Sequence, residues 1–239
     1  MDIQDFQAQW KELGKNDPMW VVLTDPTKLG GGWKPEDFFA TGVAEIEGIW
    51  QQLSALNVRV QSGAALDFGC GLGRLTQALC PKFDRCVGVD ISESMLAGAR
   101  SFNQFPDKCQ FILNSDPDLR QFGDRTFDFV LSLIALQHTP TRFQKRYVGD
   151  FLRILKPGGI AFFQVADCPP LRRMVSDHIV EFYRRCKSGG RPFIGMYALS
   201  EPIVREIAAA HGAEVVSVQP PVPNGEYWRA WTWCLRKKV

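Results

Sequence analysis

From residue 64 onward, short apolar segments alternate with segments of helical spacing, and this alternation restricts the possible folds more than any other feature. The apolar segments are rich in Val, Ile, Phe and Leu, as buried β-strands are. Five strands are predicted, at residues 64–68, 86–90, 109–113, 127–132 and 160–165. Strands separated by helices at this pitch form βαβ units, and these units build a parallel sheet with helices on both faces.

The end of the chain departs from this alternation. Helices are expected between the first strands, at residues 72–79, 94–103 and 140–155, and a further helix near 201–211. Two strands then follow at 213–219 and 227–236, and the connector between them is too short for a crossover helix. The sequence therefore predicts an open, mostly parallel sheet that ends in one antiparallel hairpin.

The first sixty residues have a different texture from the rest. They contain Trp10, Trp20, Trp33 and Trp50, together with three consecutive glycines at 30–32. Prolines interrupt the segment, which leaves short helices near 3–13 and 36–56. We predict an N-terminal helical cap or lid at 1–60 and a core at 61–239, with a cap insertion at 167–200.

The composition excludes several classes of partner. The 239 residues include 28 basic and 26 acidic side chains, a formal charge of +2, without a basic stripe that would indicate a nucleic-acid partner. No apolar run reaches the roughly 18–20 residues that cross a bilayer, and no secretion leader is apparent, so no membrane partner is expected. The seven cysteines lack CxxC or Cys/His spacing, which indicates reduced thiols and a cytoplasmic protein rather than disulfides or zinc.

A glycine-rich loop between the first strand and the first helix carries the strongest functional signal. Gly69, Gly71 and Gly73 permit a sharp turn and let a ligand approach where a Cβ would collide. Asp90 ends the next strand, twenty-one residues after Gly69, where an acid that holds a ribose is expected. The third glycine precedes Arg74, so the spacing is GxGxG. The dinucleotide-binding motif has the spacing GxGxxG, so this loop does not match it. The presence of Asp90 after the next strand disfavours the other alternative, a βα turn without a ligand.

Four stretches of the chain resemble the class I S-adenosylmethionine-dependent methyltransferases. They are LDFGCGLG at 66–73, VGVDISESML at 87–96, FDFVLS at 127–132 and LRILKPGG at 152–159. They follow the order and spacing of that family over roughly residues 60–165. The resemblance implies an α/β fold with a Rossmann-like, doubly wound, seven-stranded sheet. It also implies S-adenosyl-L-methionine as the cofactor, and it says little about the substrate.

The resemblance assigns roles to the residues of the glycine loop and its acid. Gly69, Gly71 and Gly73 would form the floor under the methionine part of the cofactor. Asp67 would order that loop or meet the amino group, directly or through water. Asp90 would accept hydrogen bonds from both ribose hydroxyls, a role that suits a charged bidentate acceptor.

The adenine end of the site is less sharply defined. Ile91 and Met95 would line the adenine, and the family usually places an acid after the third strand to contact the adenine amino group. Asp116 is the first choice for that contact, with Ser115 or Asn114 as alternatives; Asp116 otherwise caps a turn. The predicted cofactor-binding set is Asp67, Gly69, Gly71, Gly73, Asp90, Ile91, Met95, Ser115, Asp116 and Ser132.

His138, after the fourth strand, is the candidate catalytic residue. Many family members that act on small molecules carry a similar Leu-Gln-His stretch there, and histidine can take a proton from a hydroxyl near neutral pH. The alternative is that His138 only orders the turn before Pro140. The substrate chamber is expected to be built from 20–42 and 167–197, and the predicted substrate residues are Trp33 and Phe39 in the first segment, Tyr197 in the second, and Gln137 beside His138.

The predicted function is transfer of the methyl group of S-adenosylmethionine to an oxygen or nitrogen of a small organic molecule by in-line displacement. The motifs of enzymes that methylate nucleic-acid bases are missing, and no acids cluster as in the metal-dependent catechol enzymes, so no metal is expected. A protein or peptide methyltransferase and a non-catalytic cofactor-binding protein remain as alternatives. The sequence gives no indication of the oligomeric state.

Overall fold

Seven strands form one sheet in the computed structural model, which describes residues 2–15, 17–168, 179, 194–223 and 228–239. The strands are β1 (Ala64–Phe68), β2 (Arg85–Asp90), β3 (Cys109–Leu113), β4 (Phe127–Ser132), β5 (Leu155–Asp167), β6 (Ala213–Pro223) and β7 (Arg229–Lys237). Their order is β3-β2-β1-β4-β5-β7-β6. Strands β1 to β5 are parallel, whereas β7 runs antiparallel to both β5 and β6. The predicted parallel sheet with its antiparallel hairpin is confirmed.

Two strands are longer than the sequence indicated. Strand β5 begins at Leu155 instead of residue 160, because Leu155 pairs with Phe127 and the register then shifts before Ile160 pairs with Phe129. Gly158 lies in this irregularity with a φ of 81°, a backbone conformation that glycine adopts without strain. Strand β6 continues to Pro223 through register shifts of the same kind against β7.

The described helices cover the sheet and the ends of its strands. They are α1 (Ile3–Leu13), α2 (Pro18–Val22), α3 (Pro35–Ala55), α4 (Arg74–Leu79), α5 (Glu93–Ser101), α6 (Thr141–Ile154) and α7 (Glu201–Ala210). Helix α4 begins two residues later than predicted, because Gly71 and Gly73 have φ values of 52° and 79°. These left-handed conformations cannot belong to a right-handed helix. Helix α2 was not predicted; the Asp17 side chain caps it by accepting from Trp20 N.

The core lies in two layers, one on each face of the sheet. Strand β7 shows this division, because Trp233 packs in one layer and its neighbour Cys234 in the other. Ile46 and Ile49 of α3 belong to the same layer as Cys234 and Phe129. Helix α3 therefore covers the sheet, whereas α1 and α2 contribute side chains to the cavity described below. None of the helices in the described part of the chain is long and apolar enough to cross a membrane.

Candidate active site

A cavity opens at the carboxyl ends of the parallel strands, where β1 lies between β2 and β4. The connections from β1 and β4 leave the sheet in this region, and open α/β sheets bind ligands at such a switch in strand order. The space measures about 940 Å³, a volume that includes the open solvent at its mouth. Its polar lining residues are Asp67, Arg74, Asp90, Asn114, His138, Thr139 and Tyr147.

The glycine loop forms one wall of the cavity and leaves no room for side chains. Gly69 N and Cys70 N donate to Val89 O at 2.8 and 3.0 Å, so the loop is fixed to the end of β2. A Cβ on Gly69 would lie 2.2 Å from Ala135 Cβ, and one on Gly71 would lie 2.7 Å from Val22 Cγ2. Gly69 and Gly71 line the cavity. Gly73 does not; a Cβ there would lie 2.6 Å from Phe111 Cζ, so this glycine permits close packing behind the loop.

Asp90 connects the loop to the end of β2. Its Oδ2 accepts from Gly71 N at 2.8 Å, and its Oδ1 accepts from Ser92 N at 2.8 Å. Burial raises the pKa of Asp90, while these two backbone donors oppose the increase. A carboxylate has about four acceptor positions, so two remain for hydroxyl groups in the cavity.

Asp67, the second cavity carboxyl, is 2% exposed. Its Oδ2 accepts from Thr76 Oγ1 at 2.6 Å. Burial raises the pKa of Asp67 to about 6, although the Thr76 hydroxyl and the positive charge of Arg74 act in the opposite direction. Asp67 is therefore mostly ionised at pH 7.5 and mostly protonated at pH 5.

At the end of β3, the structure places Asn114 in the cavity lining and leaves Ser115 and Asp116 outside it. Asn114 N donates to Asp90 O, which continues the pairing of the two strands. Its side-chain amide donates to Asp116 O and to Tyr147 Oη, at 3.1 and 3.4 Å. Ser115 and Asp116 are exposed, and Ser115 Oγ accepts from Gln7 of α1. Among the three alternatives, the register favours Asn114 for an adenine contact.

Ser132 also lies outside the lining, in contrast to its assignment from the sequence. It is fully buried at the end of β4, and its Oγ donates to Phe68 O at 3.1 Å. The hydroxyl therefore joins β4 to β1 beneath the cavity. Ile91 and Met95, by contrast, both line the cavity beside Asp90.

His138 lines the cavity and is held through both ring nitrogens. Nδ1 lies 2.8 Å from Gly195 O, and Nε2 lies 3.1 Å from Gln137 Nε2. Because a carbonyl oxygen only accepts, Nδ1 carries the proton and Nε2 is the unprotonated nitrogen that accepts from the Gln137 amide. Burial lowers the pKa of His138, so the ring is neutral at physiological pH.

Helices α1 and α2 form part of the cavity wall, and the sequence did not indicate which of their residues do so. Phe6 and Trp10 of α1 and Val21 and Val22 of α2 line the cavity. The Trp10 and His138 ring centroids are 5.7 Å apart. We call Phe6, Trp10, Val21 and Val22 the roof. Phe6 and Trp10 are four residues apart on one helix face, and this spacing was the available sequence signal.

The four predicted substrate residues lie outside the cavity lining. Trp33 Nε1 donates to Leu23 O, and Phe39 packs against Phe38 and Phe102. Gln137 is buried beside His138, and Tyr197 N donates to Gln137 O. These side chains therefore support the walls and do not face the interior. The predicted insertion at 167–200 lies mostly outside the described residues, namely at 169–178 and 180–193.

Within the described ranges, no three His, Cys, Asp or Glu side chains are grouped so that they could hold a metal ion. The six cysteines described, at positions 70, 80, 86, 109, 168 and 234, are all buried free thiols. The expectation of a metal-free site remains a prediction.

The segment of the chain that forms this cavity is similar in sequence to a known protein family. Residues 66–163, which contain the glycine loop, Asp90 and His138, match the family model described as a methyltransferase domain. This matched segment is a methyltransferase domain. The chain shares its fold with the magnesium protoporphyrin IX methyltransferase of Synechocystis PCC 6803, solved with bound SAH, at a TM-score of 0.64 and 18% identity over 100% of both chains.

Two curated relatives each match less than half of this chain. The 24-methylenesterol C-methyltransferase 2 of Oryza sativa subsp. japonica is 33% identical over 99 residues, 40% of this chain and 26% of its own length. The ubiquinone biosynthesis O-methyltransferase of Hydrogenovibrio crunogenus is 29% identical over 105 residues, 44% of this chain and 43% of its own length. The chain thus spans less than half the length of these relatives.

The residues that line the cavity fit S-adenosylmethionine. Asp90 has free acceptor positions for ribose hydroxyls. Gly69 and Gly71 present bare backbone to the cavity, because a Cβ on either residue would collide with a neighbouring side chain. Asp67 and Arg74 bring one negative and one positive group into the cavity, as the amino and carboxylate groups of a methionine part require.

We expect Gly71→Ala to weaken binding of S-adenosylhomocysteine at least about tenfold, because its Cβ displaces Val22 from the cavity wall. Gly158→Ala is the matched control, since it has a φ of 81°, no atom within 4 Å and no place in the cavity. Both variants should lose about 1–2 kcal/mol of unfolding free energy from the left-handed backbone. Calorimetric titration and urea unfolding measure the two effects, and Val22→Ala added to Gly71→Ala should restore affinity. Equal affinities of the two single variants would contradict this wall contact.

The second expectation concerns pH. Lowering the pH from 7.5 to 5 should weaken binding of S-adenosylhomocysteine about tenfold, because protonation of Asp67 near pH 6 removes the charge that faces the ligand's ammonium group. Asp67→Asn retains an acceptor for Thr76 and should make the affinity lower and nearly independent of pH in this range. Calorimetric titrations at both pH values test this, and an unchanged pH dependence in Asp67→Asn would assign the titration to Asp90 or His138.

Proposed function

We propose that this protein transfers the methyl group of S-adenosylmethionine to an oxygen or nitrogen of a small organic molecule. The observation that carries the proposal is the position of His138. Its neutral ring lines the same cavity as Asp67 and Asp90, with its unprotonated nitrogen held by a neutral amide. One cavity therefore contains groups for the cofactor and a group that can accept a proton.

The cofactor supplies an electrophilic methyl group on a sulfonium sulfur. The tasks left to the protein are to fix the reactants and to exclude water, and positioning can contribute most of the acceleration. Asp90 holds the ribose, the glycine loop supports the methionine part, and Asp67 meets the amino group. Phe6 and Trp10 of the roof shield the space beside His138 from solvent.

His138 acts as the base for an acceptor that carries a proton. Its Nδ1–H donates to Gly195 O, which fixes the ring orientation and leaves Nε2 as the proton acceptor. The acceptor's O–H or N–H takes the place of the Gln137 amide at Nε2 and transfers its proton there as the methyl group is attacked. The lowered pKa of His138 keeps the ring unprotonated before the reaction.

The walls of the cavity favour a flat, apolar acceptor. Phe6, Trp10, Val21, Val22, Leu133 and Ile134 all line it, and an apolar surface of this kind recognises rings rather than charged chains. The names of the relatives describe enzymes of sterol, ubiquinone and protoporphyrin methylation, and all three are small-molecule acceptors. The roof disfavours the alternative of a protein or peptide acceptor, which requires an open groove. A cytoplasmic location is part of the proposal.

The activity is tested with labelled S-adenosylmethionine and a panel of hydroxylated and amino-substituted aromatic compounds. We expect formation of S-adenosylhomocysteine together with an acceptor heavier by one methylene unit, detected by mass spectrometry. A short unstructured peptide panel serves as the comparison. Tight binding of S-adenosylhomocysteine without turnover on either panel would favour a non-catalytic cofactor-binding protein, and turnover on peptides alone would replace the small-molecule proposal.

His138→Ala should lower kcat about 10²- to 10⁴-fold, the usual contribution of a general base, while the affinity for S-adenosylhomocysteine changes less than about twofold. In the wild type, kcat/KM should fall as the pH drops below the lowered pKa of His138. His211→Ala is the matched control, because its Nδ1 also donates to a backbone carbonyl, that of Ile207, but the ring lies outside the cavity. If His138→Ala retains wild-type kcat, this residue has a structural role in holding Gly195.

A further inference from the structure

Residues 195–199, which we call the strap, lie beside the loop after β4 and are bonded to it through their backbone. Gly195 O accepts from His138 Nδ1 at 2.8 Å, and Tyr197 N donates to Gln137 O at 2.8 Å. The strap therefore supplies the carbonyl oxygen that holds one side of the His138 ring. The orientation of this ring depends on where the strap lies.

Gln144 of α6 connects the strap to the loop after β4. Its side chain is fully buried, and its Nε2 donates to Thr139 O at 2.7 Å and to Tyr197 O at 3.2 Å. Thr139 directly follows His138 in the chain, and Tyr197 lies two residues after Gly195. One amide thus bridges the two backbone segments that carry the His138 ring and its carbonyl partner.

The two carbonyl acceptors determine which way the Gln144 amide points. An amide NH2 group has two hydrogens, one for each carbonyl, whereas an amide oxygen in its place would face two other oxygens. Oε1, the other polar atom of this amide, is buried and has no hydrogen-bond partner among the described residues. A buried acceptor in this state has a desolvation cost that an apolar side chain of similar size avoids. Packing alone therefore does not account for a glutamine at position 144.

We propose that Gln144 is a positioning residue, which holds the strap against the loop after β4 and thereby fixes the His138 ring through Gly195 O. The inference deepens the proposed function and rests on it, because His138 is the base of that reaction. The Nε2 of His138 takes a proton only while its Nδ1 carries one, and the bond to Gly195 O selects this tautomer. Gln144 is absent from the cavity lining, so it acts on the reaction only through these contacts.

The test measures the tautomer of His138 by nitrogen-15 NMR of protein labelled in its histidine rings. The chain contains three histidines, and His138→Ala identifies the resonances of this ring. The wild type should show a protonated Nδ1 and an unprotonated Nε2. In Gln144→Leu, which removes both donors at similar volume, the fraction of this tautomer should fall at least about twofold. In the same variant kcat should fall at least about tenfold, while the affinity for S-adenosylhomocysteine changes less than about twofold.

Gln77→Leu is the matched control, because Gln77 of α4 is also a buried helix glutamine. One of its amide atoms has no partner within the described ranges, and its Oε1 accepts from Gln104 N instead of holding the strap. Thermal melting compares the stability of the two variants, and Gln77→Leu should leave both the tautomer and kcat unchanged. In a His138→Ala background, Gln144→Leu should lower kcat by less than about twofold, because its effect depends on that ring.

Thr141→Val weakens the strap independently and decides the question where Gln144→Leu does not fold. Thr141 Oγ1 donates to Ala198 O of the strap at 3.1 Å, and valine has nearly the same shape as threonine but no hydroxyl. The fraction of the Nδ1-protonated ring should fall in this variant as well. The change should be smaller than in Gln144→Leu, since Gln144 still bridges the two segments.

An unchanged tautomer in Gln144→Leu, or in Thr141→Val where the former does not fold, would overturn the proposal. An equal change in Gln77→Leu, or a wild-type ring protonated on Nε2, would overturn it as well. The tautomer is measured without turnover. If the protein methylates no acceptor, or if His138→Ala keeps full activity, the proposed role of His138 is rejected, and the NMR spectra still show whether Gln144 positions the ring. A change confined to the strap variants would support the assignment.

Discussion

The parallel pairing of β1 with β2 on one edge and with β4 on the other is the constraint on which the site depends. The chain leaves β1 toward one side of the sheet and later enters β4 on the other side, so the loops after these strands diverge and leave a crevice. The glycine loop, Asp90 and His138 all follow strands that end at this crevice. Their proximity is thus a result of backbone hydrogen bonding in the sheet, which brings together residues far apart in sequence.

The charged groups of the cavity are arranged so that each is partly satisfied by the protein and partly available. Asp90 accepts two backbone N–H groups and retains acceptor positions, and Asp67 accepts one hydroxyl. Arg74 donates to Thr41 and has a buried nitrogen without a partner. Burial raises the pKa of both carboxyls and lowers that of the arginine, so holding these charges in the cavity has an electrostatic cost. A ligand with complementary groups would recover part of that cost.

The sequence predicted those parts of the molecule that depend on local patterns. The apolar strands, the hairpin and the loop at Gly69 to Gly73 follow from residue type and spacing, and each lies within a few residues of its expected position. The choice of Asn114 over Ser115 and Asp116 was harder to predict. Residues after a strand turn toward or away from the site according to a register that one sequence does not fix. The structure places Asn114 in the cavity lining and Asp116 outside it, although both side chains are polar.

The position of the roof over the cavity could not be predicted from the sequence for a different reason. Helix α1 reaches the cavity through contacts with distant residues, such as Gln7 with Ser115 and Trp10 with Ser92. Such contacts depend on tertiary packing, so the four-residue spacing of Phe6 and Trp10 marks one helix face but does not show what that face packs against. The aromatic residues Trp33 and Phe39 were assigned to the substrate because aromatic groups line many ligand sites. In the structure they pack with Phe38 and Phe102 as part of a small apolar cluster.

The close contact between Gly69 and Ala135 has a consequence for how this protein can evolve. A Cβ at position 69 would lie 2.2 Å from the methyl group of Ala135, so the loop after β1 and the loop after β4 cannot change independently. Drift in the segment that carries His138 is limited by the segment that carries the cofactor loop. Diversification toward new acceptors is therefore easier at α1 and α2, where a substitution alters the chamber without disturbing this contact.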